Sequence, residues 1–269
     1  MTITGLYVPG DRPDRFDKAV ATGAQLVILD LEDAVAPSKR AAARSAVAEW
    51  LATRAPGPTV IQVRINAGEA LDLEALAGVD AAFEVRVPKV ESIADVATVA
   101  RVLPGHPLTA LLETARGVEN ALALASHPSV TRLALGESDL ASDLGTSAPE
   151  AMDYARVRVL FAARAAGLDA PMLSAYPRIR DLDGLRLDTE RGRDLGWVGR
   201  TAIHPSQLAV IADVFRPGAE ELAWAEEVLA ATTGGGVSTL ANGDMVDGAM
   251  VGRAEKIVAL TRALQHPSE

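Results

Sequence analysis

The sequence lacks cysteine altogether and has no long uncharged apolar run. Without cysteine there is no disulfide framework, no thiolate nucleophile and no cysteine-based zinc or iron–sulfur site. Any metal must therefore bind oxygen or imidazole ligands, and oxygen ligands favour Mg2+ or Mn2+. Because no stretch of about 18 uncharged apolar residues occurs, and the N-terminus lacks the basic-then-apolar order of a secretory signal, we expect a soluble, cytoplasmic protein without a membrane partner.

Positive charge is also in short supply, since the formal net charge is -10. Nucleic acids bind mainly to clustered Lys and Arg, so no nucleic-acid partner is expected. A small anionic ligand held by local basic residues remains compatible with this charge. Apolar content is high, at 49% of 269 residues, which favours one barrel-sized domain of roughly 200–250 residues over two small domains.

Short β-branched runs alternate with amphipathic stretches, a pattern typical of βαβ units and a parallel sheet. Eight runs are predicted as strands: Leu6–Pro9, Leu26–Leu31, Thr59–Ile65, Phe83–Pro88, Leu108–Glu113, Arg132–Gly136, Pro171–Tyr176 and Thr201–His204. Helical spacing predicts the intervening helices Arg12–Thr22, Ser38–Ala52, Ile93–Leu103, Gly117–Ala125, Met152–Ala166, Leu182–Leu195 and Ser206–Val214. Eight β/α units imply a closed (β/α)8 TIM barrel.

The chain continues beyond these units with a C-terminal segment too long to be a frayed end. It comprises a predicted helix, a Gly-rich stretch, a short extended segment and a last helix, at Glu220–Ala231, Thr232–Val237, Leu240–Val246 and near Ala249–Leu264. We therefore divide the chain into a TIM-barrel catalytic domain, 1–217, and a C-terminal helical extension, 218–269. The Gly-rich stretch is a flexible hinge that would let the extension reach a neighbouring subunit.

Polar residues follow the apolar runs of six predicted strands, in the position where barrels of this kind carry their catalytic groups. They are Asp30, Glu32 and Asp33, Arg64 and Asn66, Lys89, Glu113, Glu137 and Asp139, and His204. Any one of them alone is more simply explained as a solvated strand end or a helix N-cap. Because polar residues occupy the same position after six of the predicted strands, we expect them to form one catalytic rim, provided that the barrel closes.

Two of these positions suggest specific chemistry. Glu113 and Asp139, from adjacent strand ends, can offer two carboxylate oxygens to Mg2+, which fills the rest of its octahedron with water and substrate oxygens. Arg64 lies within an apolar run, where an unpaired guanidinium is costly to bury, so it should face an anion. That anion is either a structural carboxylate or a substrate oxygen, and the sequence alone does not choose between them.

The sequence resembles the HpcH/HpaI aldolase and citrate lyase superfamily, in its CitE-like, malyl-CoA-lyase-like branch. The resemblance covers nearly the whole chain in family order. It rests on eight segments: Val8-Pro9-Gly10-Asp11-Arg12-Pro13, Leu29-Asp30-Leu31-Glu32-Asp33-Ala34-Val35, Val63-Arg64-Ile65-Asn66, Val87-Pro88-Lys89-Val90-Glu91-Ser92, Leu112-Glu113-Thr114, Gly136-Glu137-Ser138-Asp139-Leu140, Ile203-His204-Pro205-Ser206-Gln207 and Gly243-Asp244-Met245-Val246-Asp247.

The resemblance implies roles at the rim of the barrel. Glu113 and Asp139 would ligate Mg2+, and Arg64 would hold the oxygen that becomes the thioester enolate. Glu32 and Asp33 would order water on the metal and hold Arg64. Lys89 is expected near this acidic cluster, and the substrate is expected to meet Gly136 and Glu137 beside the metal-binding Asp.

The resemblance also implies roles for residues elsewhere in the chain. Asp247 would be the acid/base, delivered by the extension over a neighbouring subunit's barrel, although an N-cap for the last helix is an alternative compatible with that role. His204 and Pro205 would lie near the CoA arm. Four basic residues of early loops would meet CoA phosphates or simply form charged surface: Arg12, Arg15, Lys39 and Arg40.

Two departures from the family pattern concern the seventh predicted strand and the loop after it. Acidic positions of the family are occupied here by Leu173 and Arg178, which puts substrate preference or CoA placement in question. Around the metal-binding Asp, the family's Gly-Ala-Glu-Asp-Leu is replaced by Gly136-Glu137-Ser138-Asp139-Leu140.

The resemblance implies a Mg2+-dependent carbon–carbon lyase that cleaves or forms a short 3-hydroxyacyl-CoA thioester, such as malyl-CoA or citramalyl-CoA, with a 2-oxo acid as the other fragment. The alternatives are a CoA-independent, metal-dependent 2-oxo-acid aldolase and a citrate lyase β-type subunit that works only in an assembly. Related barrels form trimers or hexamers, and we expect a homotrimer.

Overall fold

The computed structural model describes residues 1–232, 238–240 and 245–265. Seven parallel strands form one sheet in the order β6-β5-β4-β3-β2-β1-β7. Their bounds are β1 Thr4–Pro9, β2 Leu26–Asp30, β3 Val60–Arg64, β4 Glu84–Val87, β5 Leu108–Leu112, β6 Val130–Leu135 and β7 Arg200–Ala202. The predicted α/β class with a parallel sheet is confirmed, and these seven strands were all predicted.

The predicted strand Pro171–Tyr176 does not form a regular strand. Only Met172 and Leu173 pair, and they pair with the two edges of the sheet: Met172 with Ala134 of β6, and Leu173 with Arg200 of β7. The Leu173 N–H donates to the Gly199 carbonyl at 3.0 Å. The prediction of eight regular strands was therefore wrong at this position, where isolated bridges lie between the edge strands instead.

Within residues 1–217, ten helices accompany the sheet. They are α1 Phe16–Val20, α2 Arg40–Thr53, α3 Ala70–Ala77, α4 Ile93–Val102, α5 Ala115–Glu119, α6 Ala121–Ala125, α7 Glu137–Leu144, α8 Pro149–Ala165, α9 Leu182–Asp194 and α10 Leu208–Phe215. The first, second and last are preceded by short 3-10 turns. The predicted helix Gly117–Ala125 is split into α5 and α6, and α3 and α7 were not predicted.

Apolar side chains cover both faces of the sheet. All five residues of β2 are buried, as expected for a central parallel strand. On one face, side chains such as Val27 and Leu29 join the large cluster shared with the helices. On the other, Leu26, Ile28 and Met172 form a separate small cluster. The strands are thereby fixed in register, and their carboxyl ends lie side by side at one end of the sheet.

The C-terminal segment forms a helical hairpin with a small apolar cluster of its own. It comprises α11 Ala219–Thr232, the two-residue antiparallel pair β8 Ser238–Thr239 and β9 Met245–Val246, and α12 Gly248–Gln265. Ala225, Val228 and Ala254 are buried between its elements. Most of the predicted hinge, residues 233–237, and the first two residues of the predicted 243–247 motif lie outside the described residues.

The far end of α12 packs on the main body at the amino ends of the strands. The Gln25 side-chain amide, just before β2, donates to the Ala263 carbonyl at 2.7 Å. Leu260 and Leu264 contact the main apolar cluster. None of the helices in the described part of the chain is long and apolar enough to cross a membrane.

Candidate active site

A cavity of about 350 Å³ opens at the carboxyl ends of the strands. It brings together six of the predicted site residues: Asp33, Arg64, Glu113, Gly136, Glu137 and Asp139. Glu32 and Lys89 contact this group through ion pairs described below. Six residues of the predicted set therefore line one cavity.

Arg64, at the end of β3, is held by carboxylates on every nitrogen. Its Nε and Nη2 donate to the two oxygens of Asp30 at 2.7 and 2.6 Å, in a bidentate pair. Its Nη1 donates to Asp33 at 2.9 Å and lies 3.2 Å from Glu32. Burial alone would lower the pKa of Arg64, but the bonds to Asp30 outweigh it and raise the pKa. The guanidinium is thus fixed in position and permanently charged.

Lys89 bridges the acidic cluster with both its backbone and its side chain. Its backbone N–H donates to Glu113 at 3.0 Å, and its Nζ donates to Glu32 at 2.9 Å. Lys89 has a φ of 53°, a left-handed conformation that costs a non-glycine residue free energy and persists at functional sites when neighbouring contacts enforce it. This backbone turn lets one residue reach two carboxylates.

Glu113, at the end of β5, is 2% exposed. Burial, followed by the nearby charges of Glu32 and Asp139, raises its pKa to about 8. Burial also raises the pKa of Glu32, against the opposing effects of Lys89 and Arg64. One Glu32 oxygen, Oε2, makes no hydrogen bond. Three carboxylates therefore crowd one spot without enough positive charge to balance them.

Gly136 allows Glu113 to occupy this position. A Cβ on Gly136 would lie 2.5 Å from Glu113 Oε1 and 2.6 Å from its Cγ, closer than any side chain tolerates. Asp139 follows in the first turn of α7, half-buried. The positive end of the helix dipole favours a carboxylate there. The β6–α7 turn thus brings two acids, from adjacent strand ends, to the same cavity.

The neighbouring wall is a buried ion-pair network. Arg156 of α8 forms a bidentate pair with Glu137 at 2.7 and 2.9 Å, and donates to Asp188 of α9 at 3.0 Å. Asp188 also pairs with Arg200 of β7. Glu137 is two residues from Asp139, so the network anchors the first turn of α7 to α8 and α9.

The remaining predicted site residues do not line this cavity. His204 is exposed and caps the 3-10 turn Pro205–Gln207, accepting from the Ser206 N–H at 3.2 Å. Arg12 pairs with Asp14 on the surface. Asp247 accepts from the Met250 N–H at 2.8 Å, in the manner of an N-cap for α12.

The two departures from the family pattern have different surroundings. Leu173 is fully buried and packs against Gly192. A Cβ added at position 192 would clash with the Leu173 side chain. Arg178 is mostly exposed and pairs with Tyr176 and Asp181. Position 173 therefore gives the active-site cavity an apolar side chain, while Arg178 lies on the surface and lines a separate cavity.

Sequence reasoning missed two cavity residues, Tyr7 and Arg86. Arg86 is 2% exposed on β4. The signal was available, because Glu84 and Arg86 alternate with two valines in a strand that is otherwise buried. The argument applied to Arg64 applies equally to this second arginine in an apolar run.

The chain resembles known proteins in both sequence and fold. The family model for HpcH/HpaI aldolase/citrate lyase matches residues 3–205. A citrate lyase subunit beta-like protein from Mycobacterium tuberculosis is 39% identical over 98% of this chain and 96% of its own length. A (3S)-malyl-CoA thioesterase from Cereibacter sphaeroides is 38% identical over 84% of this chain and 81% of its own length.

A solved structure of CitE from Mycobacterium tuberculosis superposes with a TM-score of 0.82 and 35% identity, covering 97% of this chain and 98% of that one. That protein was crystallised in complex with magnesium, acetoacetate and coenzyme A. The fold and site thus define a lyase-type enzyme with a parallel α/β sheet. The chain belongs to the HpcH/HpaI aldolase/citrate lyase family.

Proposed function

We propose that this protein is a divalent-cation-dependent carbon–carbon lyase that cleaves or forms a short 3-hydroxyacyl-CoA thioester such as malyl-CoA or citramalyl-CoA. The observation that carries the proposal is the cavity that joins Glu113, Asp139 and Arg64. Its carboxylate-rich wall and fixed guanidinium are what an enolate-forming reaction requires. The name of the related malyl-CoA thioesterase and the coenzyme A in the complex of the related CitE support an acyl-CoA substrate.

Glu113 and Asp139 suit Mg2+, or Mn2+ in its place. Among the described residues, no group of three or more His, Asp or Glu side chains is arranged to hold a metal ion, and Glu113 and Asp139 offer two protein carboxylates. That number is usual for Mg2+, which keeps water and substrate oxygens in its other positions. The raised pKa of Glu113 reports a carboxylate short of positive charge, which a dication would supply.

The proposed chemistry breaks the bond between the α and β carbons of the hydroxyacyl group. This releases a carbonyl fragment, such as a 2-oxo acid, and leaves an enolate on the thioester. A bound dication would supply positive field to the fragment's oxygens. Arg64, fixed by Asp30 and Asp33, offers its charge to the enolate oxygen. Lys89 keeps Glu32 and Glu113 in place by bonding to both.

We infer further that the sheet closes into an eight-stranded barrel. The inference is supported by Met172 and Leu173, which form isolated bridges to β6 and β7, the two edge strands of the sheet. The cavity is then the mouth of the barrel, and the carboxyl ends of the strands converge on it, as in other barrels of this kind.

We infer that Asp247 serves as acid/base in a neighbouring subunit of a homotrimer. It does not line the cavity of its own chain, and α12, which begins beside it, ends against the amino ends of the strands. An 18-residue helix is roughly 27 Å long. In the cleavage direction Asp247 would protonate the enolate carbon, and in condensation it would remove the same proton.

A second candidate function is hydrolysis of the thioester, favoured by the 38% identity to a malyl-CoA thioesterase. Incubation of the purified chain with malyl-CoA and citramalyl-CoA in the presence of Mg2+ separates the two. We expect acetyl-CoA plus glyoxylate or pyruvate. Free CoA and the intact hydroxy acid, with no 2-oxo acid at any time, would instead establish hydrolysis.

The same assay tests the other two alternatives. A β-type subunit of an assembly would require its acyl-carrier partner, so turnover of a free CoA thioester by this chain alone excludes it. A CoA-independent aldolase would cleave a free hydroxy-2-oxo acid and ignore both thioesters. Calorimetric titration with acetyl-CoA and Mg2+ gives a readout without turnover, and no heat of binding would favour the aldolase.

A further inference from the structure

A second cavity, of about 310 Å³, lies at the amino ends of the strands, between the main body and the C-terminal extension. The main body contributes Thr2, just before β1, and Ala170, just before the bridged residues. The extension contributes Ile257 and Leu260 of α12. This cavity shares no lining residue with the active-site cavity. A ligand bound here would therefore contact both parts of the chain, far from the catalytic groups.

Cationic side chains outnumber acids in the lining of this cavity. Five Lys or Arg and two acidic side chains line it. One acid is already paired, because Arg193 donates to Glu221 at 2.8 Å. Four cations then face a single acid, the exposed Asp169. An excess of one sign of charge in a cleft concentrates ligands of the opposite sign, so the cavity should attract anions.

Arg132 is the innermost of these cations. It is half-buried on β6 and forms neither a hydrogen bond nor an ion pair with any described residue. Burial is the largest influence on its pKa and lowers it, and Arg86 lowers it further, while Glu84 and Asp169 oppose this without restoring it. Withdrawing a guanidinium from water without a counterion is costly, and an anionic ligand would remove that cost.

The rest of the lining is largely apolar. Trp197 is 1% exposed, and its Nε1 already donates to the Arg156 carbonyl at 3.1 Å. Phe215 is equally buried, and Ile257 and Leu260 are half-buried. An inorganic ion would leave these surfaces without a partner, whereas an anion with an apolar body would bury them.

We infer that this cavity binds a small organic anion with an apolar body, such as an aromatic or branched-chain carboxylate. Its charged group meets Arg132, and its body packs against Trp197 and α12. The site is independent of the proposed function, because it shares no residue with the catalytic cavity. Since the ligand contacts the main body and α12 together, binding stabilises the docked position of the extension.

Calorimetric titration of the full chain, without Mg2+ or CoA, tests the charge and the apolar body separately. Naphthalene-2-sulfonate and naphthalene-2-sulfonamide share one apolar body, and only the sulfonate is charged at neutral pH. We expect the sulfonate to bind about 10- to 100-fold more tightly, the range for a charged hydrogen bond. Inorganic sulfate at the same concentration should not displace it.

Three variants assign the binding to this cavity. Arg132→Met should weaken the sulfonate at least about tenfold and leave the sulfonamide unchanged. Arg54→Met is the matched control, because it removes another half-buried arginine that lines a different cavity, and it should leave both affinities intact. Leu260→Ala should weaken both probes alike, since it trims the apolar wall that they share.

Hydrogen exchange with saturating naphthalene-2-sulfonate locates the ligand on the unsubstituted protein. We expect slower exchange along α12 and no change around Glu113. Equal affinity for the two probes, displacement by inorganic sulfate, protection around Glu113 in place of α12, or an unchanged affinity ratio in Arg132→Met would each overturn the inference. The first three outcomes need no variant, so a folding defect in Arg132→Met leaves the test intact.

Discussion

At the scale of single residues, the site is defined by an excess of negative charge around Glu113. Its carboxyl group has an ordinary pKa of 4.5, and burial with two neighbouring acids raises that pKa to about 8 in the folded protein. Between these values the folded state holds a proton that the unfolded state has lost. The free energy of unfolding of the metal-free protein must therefore fall as the pH rises through this window.

The first prediction concerns metal binding and pH. Mg2+ requires the ionised carboxylate, so its affinity should rise steadily between about pH 6 and pH 9. Isothermal titration at several pH values measures this. Metal-free Glu113→Gln should be more stable than the unsubstituted protein at the upper end of the range by at least about 1 kcal/mol, and should gain no stability from Mg2+. An Mg2+ affinity that is flat over the range would contradict the raised pKa.

The second prediction concerns Gly136. In Gly136→Ala the new Cβ would overlap the Glu113 carboxylate, which has to turn out of the cavity. We expect Mg2+ affinity to fall by at least about tenfold, while the far-ultraviolet circular dichroism spectrum is unchanged. Gly78→Ala is a suitable control, because a Cβ there meets nothing within 4 Å, and it should bind Mg2+ normally.

Most of the charged rim was predictable because each residue directly follows an apolar run. What the sequence could not supply was the pairing. The sequence did not decide whether the anion facing Arg64 is a structural carboxylate or a substrate oxygen. In the structure Arg64 is paired with Asp30, a buried carboxylate on the neighbouring strand β2. Arg86 was missed because it precedes the end of its strand, and the rim pattern does not extend into the strand's interior.

At the scale of elements, α8 connects the active-site wall to the outer helices. Its Arg156 is 3% exposed and binds Glu137 and Asp188 at once. Removing one member of a buried ion-pair network leaves the others uncompensated, which costs far more than loss of a surface pair. The first turn of α7, with Asp139, should become less well positioned as a result.

The third prediction follows from this network. Arg156→Met should lower the free energy of unfolding by about 3–5 kcal/mol, as measured by urea denaturation at neutral pH. Arg158, on the exposed side of the same helix, pairs with Glu119 at the surface, and Arg158→Met should cost no more than about 1 kcal/mol. Similar losses in both variants would mean that the buried network adds no special stability.

Element boundaries were predictable where the hydrophobic periodicity and the length of a segment indicated the same type of element, as in β2, α4 and α9. The helix predicted from Ser38 begins two residues later, at Arg40, because Ser38 lies inside a 3-10 turn that begins at Pro37. The helix α7 was not predicted, although the sequence carries signals for it. Its signals were Gly145, in the left-handed conformation at its end, and two acids in its first turn.

At the scale of the whole molecule, the C-terminal extension bears on how the subunits assemble. Its helices have their own small apolar cluster, and α12 reaches the opposite end of the sheet from the cavity. A single sequence contains the residues of an interface but not its symmetry. The exchange of Asp247 between subunits therefore rests on the family resemblance and on its position outside its own cavity.

The fourth prediction tests that exchange by complementation. Asp247→Asn and Asp139→Asn should each lose nearly all lyase activity as pure proteins, and Asn keeps the N-cap that Asp247 provides. If each site combines the barrel of one subunit with Asp247 of another, a mixture unfolded together and refolded should recover about a quarter of the unsubstituted activity. No recovery in mixed oligomers of confirmed composition would place Asp247 outside the site.

Between the edge strands β6 and β7, Met172 and Leu173 form only isolated bridges, and this is the most weakly paired part of the fold. These two residues contribute a few backbone hydrogen bonds, whereas each pair of neighbouring strands in the sheet is joined over at least three residue pairs. Local opening should begin at this weakest joint, so its amide protons should exchange with deuterium well before those of β2 and β3. Since Met172 and Leu173 also line the cavity, a bound substrate would slow that exchange most strongly where the strand pairing is least reinforced.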